Sequence, residues 1–158
     1  MKRTVFLVLV VIHFQACDNH RIYEKNYDLA DKTWLSDSVL RFDFELVTIE
    51  QPTNLFYNIR NSLSYPFQNL YVKYTLTDTL GQVFREELVN HNLFDVKTGK
   101  PFGSGIGDVF DHRIKLLSNY RFENPGKYKI YLQHYMRPDT LKEVISVGVR
   151  LERVPVED

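Results

Sequence analysis

The chain has 158 residues, with 20 Lys+Arg against 20 Asp+Glu. That is enough for one domain of ordinary size, and no basic stripe stands out to hold nucleic acid. A single cysteine excludes an internal disulfide framework, while 10 Tyr and 11 Phe suit half-wet sheet faces and protein-binding surfaces.

The first element is a leader. Lys2 and Arg3 precede a continuous apolar run from Val5 to Ile12, and Phe14-Gln15-Ala16 leads to Cys17. This is the layout of a secretory signal peptide, expected over residues 1–16. The apolar run is roughly half of the about twenty residues a spanning helix needs. Phe14-Gln15-Ala16-Cys17 resembles a bacterial lipobox, which implies a diacylglycerol on the Cys17 sulfur and, after cleavage, an acylated Cys17 amine. One acyl chain binds a membrane only marginally, whereas two or three hold firmly. The competing reading is a soluble secreted protein with an incidental thiol. Loss of Lys2 and Arg3 leaves 18 basic against 20 acidic residues, a formal charge of about −2.

Residues 17–33 read as the lipidated N-terminus and a flexible tether, since Asp18 to Lys32 is polar, charged and without period. Residues 34–158 form one domain, and its patterning has period two. Leu40, Phe42, Phe44 and Leu46 alternate with Arg41, Asp43 and Glu45 in a first half-buried strand. Asn54 to Arg60 is a second, with Leu55, Tyr57 and Ile59 on one face. A third carries Leu70, Val72, Tyr74 and Leu76; the turn Asp78-Thr79-Leu80-Gly81 joins it to Val83–Val89 as a hairpin.

Asn90 to Asp108 reads as a long loop, followed by a strand from Val109 to Leu117. Asn124-Pro125-Gly126-Lys127 marks a turn. The next strand places Tyr128, Ile130, Leu132, His134 and Met136 on one side. The last, Val144 to Arg153, turns Ile145, Val147, Val149 and Leu151 inward. No segment has a convincing helical stripe. The expected fold is an all-β antiparallel sandwich of about seven to eight strands, Ig-like or jelly-roll-like.

Several stretches resemble, in order, the gliding-motility lipoprotein GldH family of Bacteroidetes. They are Trp34-Leu35-Ser36-Asp37-Ser38-Val39 with Phe42-x-Phe44, Asn54 to Asn61, Tyr65-Pro66-Phe67-x-Asn69-Leu70, and Gly103-x-Gly105-x-Gly107-Asp108. Pro125-Gly126-Lys127-Tyr128, Gln133-x-x-Met136-Arg137 and Val147 to Glu152 continue the series. The likeness covers nearly all of the mature chain. It implies a cell-envelope lipoprotein of the gliding machinery, tied in that phylum to type IX secretion, acting with other envelope proteins. It implies no enzyme, no cofactor and no catalytic residues. Surface export in the phylum is associated with acidic residues after the lipidated cysteine. Asp18-Asn19-His20-Arg21 carries only one, which points to an outer-membrane anchor facing the periplasm.

Sharper chemistry finds little support in the residues. Gly103-Ser104-Gly105-Ile106-Gly107-Asp108 has neither the Lys-Ser/Thr of a P-loop nor a following helix, so its glycines are expected to supply positive φ in a tight loop. His91, His112 and His134 lack metal-ligand spacing, and His134 belongs to a core-facing alternation. Asp108 with Asp111, or Glu86 with Glu87, could be imagined as an acid–base pair, but strand neighbours such as Glu86 and Glu87 face opposite ways. Ser104 has no Gly-x-Ser-x-Gly context. No catalytic, cofactor or metal residue is therefore assigned. The surface feature that remains is aromatic: Tyr71, Tyr131 and Tyr135 fall opposite the core alternation and form a possible partner surface. The alternative function is a lipid-anchored carbohydrate- or ligand-binding sandwich, which would need a concave aromatic site.

Overall fold

The computed structural model describes residues 20–155; the leader and Cys17 lie outside them. Its strands are β1 (Arg21–Asp28), β2 (Thr33–Leu35), β3 (Leu40–Leu46), β4 (Thr53–Ser62), β5 (Asn69–Asp78), β6 (Val83–Asn92), β7 (Ser104–Ile106), β8 (Val109–Tyr120), β9 (Gly126–His134), β10 (Thr140–Lys142) and β11 (Val144–Arg153). One sheet has the order β1-β11-β4-β8-β7 and the other β3-β9-β5-β6, while β10 and β2 form a ribbon at one end. Every pairing is antiparallel. The fold is the expected β-sandwich.

Alternation decides which side of each strand faces the core. Phe42, Phe44, Leu55, Ile59, Val72, Leu76, Ile130, Leu132, Val147, Val149 and Leu151 are all inward, none more than 4% exposed. Phe44 stacks on Tyr128 at 5.8 Å and meets Phe122 edge-on at 6.1 Å. Trp34 is fully buried; its indole N–H donates to the Ser38 carbonyl at 3.0 Å, and its ring meets His134 edge-on at 5.4 Å.

The expected tether is corrected over its described part. Arg21–Asp28 is an edge strand paired with β11, from Arg21↔Glu152 to Asp28↔Ser146. Tyr23 and Tyr27 turn inward, 5.7 Å from Phe44 and 4.9 Å from Phe42. Lys25, between them, lays its ammonium 4.6 Å from the Tyr27 ring centre. The sheet thus supplies the apolar surface that these residues lack by themselves.

The expected loop from Asn90 to Asp108 is also more ordered. Asn90–Asn92 extend β6, Leu93 and Phe94 are buried, and Phe94 bridges to Pro101 before β7.

Candidate functional site

Non-local pairing brings polar side chains from four strands onto the outer face of the five-stranded sheet. In register, Asp28, Ser146, Arg60 and Asp111 form one row across β1, β11, β4 and β8. Asn26, Gly148, Asn58 and Arg113 form the next, and Glu24, Arg150, Phe56 and Lys115 a third. From these rows Glu24, Asn26, Asp28, Asn58, Arg60, Asp111, Arg113 and Ser146 line an open groove of about 720 Å³, closed on one side by Phe102, Gly103 and Ser104. Gly148 lies under Asn26: a Cβ there would fall on the Asn26 Oδ1 and 2.8 Å from the Lys25 carbonyl oxygen.

Several charges on this face are paired. Arg60 grips Asp111 through two hydrogen bonds of 2.7 and 3.1 Å. Arg150, 5% exposed, donates to Glu24 at 2.6 Å and to Glu152, and Arg113 stands 3.6 Å from Glu152. Burial alone would raise the Glu24 carboxyl, but hydrogen bonds from Arg150 and Arg21 hold it below the usual carboxylate range. Asn58 donates to Glu24 and to Asn26, each at 3.3 Å. Such a surface can exchange hydrogen bonds with a polar ligand, and Asp111 is held there by an arginine.

The three tyrosines share the outer face of the other sheet. Tyr71 on β5 lies beside Tyr135, just past β9, whose N–H donates to the Tyr71 carbonyl at 2.8 Å. They are 38% and 48% exposed. Tyr131 stands on the same face between Arg41 and Thr75, about 13 Å along the strand from Tyr135. Lys73, which pairs with Glu86 at 3.0 Å, and Gln133 occupy the row between them. The structure therefore brings Tyr71 and Tyr135 together and leaves Tyr131 apart.

The histidines are placed by packing. His134 is 1% exposed, and its Nε2 is 3.1 Å from the Trp34 carbonyl; burial lowers its pKa. Burial likewise lowers His112 and His91, the latter with its Nδ1 3.0 Å from the Tyr57 hydroxyl. Among the described residues, no three His, Cys, Asp or Glu side chains gather closely enough to hold a metal ion. Glu86 and Glu87 do face apart, Glu86 toward Thr75 and Glu87 toward the Tyr74 hydroxyl.

The glycine loop needs a correction of cause. Only Gly107 has positive φ, at 67°. At Gly103 a Cβ would sit 2.5 Å from the Asp111 carbonyl oxygen, and at Gly105 it would meet the Val109 carbonyl and the Phe110 ring. Close backbone approach in the β7–β8 hairpin, which the residue pattern did not reveal, explains both.

Fold and surface are those of a β-sandwich that presents two sheet faces to its surroundings, one charged and grooved, one partly aromatic. The chain belongs to the GldH lipoprotein family, whose model matches residues 21–151. It is 28% identical to the gliding motility lipoprotein GldH homolog of Christiangramia forsetii over 160 aligned positions, covering 95% of each chain. It is 25% identical to the gliding motility lipoprotein GldH of Flavobacterium johnsoniae, covering 97% of this chain and 98% of that one. A carbohydrate-binding module specific for non-crystalline cellulose superposes with a TM-score of 0.44 and 9% identity, over 83% of this chain and 72% of the module. The family is one of gliding-motility lipoproteins, lipid-anchored in the cell envelope.

Proposed function

We propose that this chain is a non-enzymatic component of the gliding machinery, linked to type IX secretion, that works by contact with other envelope proteins. Lipid on Cys17 holds it at the outer membrane, facing the periplasm. The observation that carries the contact reading is the Tyr71–Tyr135 pair, two adjacent exposed aromatics with Tyr131 further along the same face. Aromatic side chains lose little conformational freedom when buried by a partner, and a few of them commonly dominate an interface, at about 2 kcal/mol or more each.

The test is a Tyr71→Ala/Tyr135→Ala double variant expressed at native level. Its melting temperature, its gliding and the proteins that co-purify with it from native membranes are measured together. The expected result is an intact fold with partners and motility lost. Unchanged co-purification and gliding would refute the role of this face. The anchor has its own test: Cys17→Ser blocks processing and releases the protein from membranes, and unchanged fractionation and mass would refute it.

The groove carries a second reading, that of a lipid-anchored ligand- or carbohydrate-binding module. The planar amides of Asn26 and Asn58, flanked by arginine–carboxylate pairs, suit a polyhydroxylated ligand, and Phe102, 62% exposed, stands at the groove wall. Calorimetric titration with soluble oligosaccharides, compared between the parent and Asn58→Ala, tests it: heat of binding in the parent alone would favour this reading.

A further inference from the structure

The two ends of the sandwich differ in a way that the anchor gives meaning. Arg21 opens β1 opposite Glu152, Arg153 at the end of β11 pairs with Thr53 at the start of β4, and Thr53 pairs with Tyr120 at the end of β8. In the facing sheet, Leu46 pairs with Gly126 and Thr77 with Val83. Tyr23 packs on Phe44, and the Arg85 guanidinium lies 5.9 Å from the Tyr120 ring centre. The point of chain entry and the turns at 47–52, 79–82 and 121–125 therefore share one end.

The chain is fixed to that end from His20 onward, whose carbonyl accepts a 2.7 Å hydrogen bond from the Arg153 N–H. Three Cα–Cα steps separate His20 from Cys17, about 11 Å at full extension whatever their conformation. The headgroup layer of one leaflet is itself about 5–7 Å deep, so a lipidated Cys17 at its base keeps this end within about 4–6 Å of the bilayer surface.

The same end presents apolar tips. Leu80 is 93% exposed and Val47 83%. Leu80 is held at its apex: the Asp78 carboxylate accepts from the Leu80 and Gln82 N–H groups at 2.8 and 2.9 Å, and Gly81 completes the turn at φ 91°. A rigid turn that carries an apolar side chain outward fits an interface that is wet on one side and oily on the other.

We propose that the end of the sandwich formed by the turns at 47–52, 79–82 and 121–125 rests on the lipid bilayer, with Leu80 and Val47 entering the headgroup region. The proposal rests on the lipid anchor at Cys17 proposed above. It makes the orientation of the domain a property of the fold: Tyr71, seven residues back along β5 from Asp78, then stands about 23 Å further from the membrane, where a periplasmic partner reaches it.

The experiment uses the lipidated, full-length mature protein in phosphatidylcholine vesicles with brominated acyl chains. Leu80→Trp is compared with Ile106→Trp, since Ile106 is 94% exposed at the opposite end, and the parent supplies the background of the buried Trp34. Both positions are solvent-facing, so the fold is retained, as circular dichroism will show. Emission added at position 80 is expected to fall by about half in brominated vesicles, and emission added at position 106 to stay unchanged. No quenching at position 80, or equal quenching at both, in protein that floats with the vesicles and carries the Cys17 lipid by mass, would overturn the proposal and leave the anchor standing. Protein that neither floats nor carries lipid would overturn the anchor reading and this proposal with it.

Discussion

Gly148→Ala tests the least expected part of the fold, the docking of β1. The new methyl group would fall on the Asn26 side chain and lie 2.8 Å from the Lys25 carbonyl oxygen. Asn26 can swing aside, at the loss of the 3.3 Å hydrogen bond it accepts from Asn58. The Lys25 carbonyl is backbone, already committed to the β1–β11 ladder, and can only move with the strand. An overpacked methyl and one lost hydrogen bond together cost about 2–4 kcal/mol. Urea unfolding of the purified domain measures that loss, and hydrogen exchange should show faster exchange of β1 amides than of β4 amides. Asn26→Gly removes the side-chain part of the clash, so the double variant should recover about 1 kcal/mol relative to the sum of the two singles. A Gly148→Ala protein within about 0.5 kcal/mol of the parent, with β1 amides still protected, would mean that β1 does not lie where described.

Three further outcomes follow from the core and its charges. Phe44→Ala removes a 4%-exposed ring from the cluster with Tyr23, Phe122 and Tyr128 and should cost about 3–5 kcal/mol in chemical unfolding. Arg150→Met leaves Glu24 and Glu152 without their shared arginine and should cost about 2–3 kcal/mol, less than a fully buried pair because both carboxylates keep some contact with water; the loss should shrink when Glu24 is also replaced by Gln. Melting temperature should fall as the pH drops from about 7.5 to about 5.5. Burial lowers His91, His112 and His134, so below the ordinary imidazole value of 6.5 the unfolded chain takes up protons that the native state refuses. Glu24 and Asp95, both lowered, act only at more acid pH, and a flat or rising profile over the upper window would contradict the histidine assignment.

Where one side of a strand is core and the other is wet, period two suffices to find it, and β3, β4, β5, β9 and β11 were legible for that reason, while the turn at 78–81 pointed to β6. Edge strand β1 escaped because an exposed lysine, Lys25, with its ammonium over the Tyr27 ring, stands between Tyr23 and Tyr27. β2, β7 and β10 have three residues each, too few to show a period. Alternation set each of the three tyrosines opposite a core series, but the meeting of Tyr71 with Tyr135 takes the β5–β9 pairing. The groove was not legible at all. Its residues run from Glu24 to Ser146, and only the sheet order β1-β11-β4-β8 makes them neighbours. The glycines at 103 and 105 looked like turn residues because the pattern shows that a side chain is missing, and not whether torsion or crowding excludes it.

The first strand of the domain pairs with the last. β11 lies between β1 and β4, so the strand made after all the other described strands takes an interior place in the five-stranded sheet. Until then β1 has no ladder to join, and β4 lacks one of its two neighbours. The sheet cannot be completed strand by strand in chain order; completion waits for β11. That delay makes β11 the strand on which the whole five-stranded sheet depends. A chain cut before Val144 loses an interior strand and not merely an edge, so β1 and β4 are both left with an unpaired side.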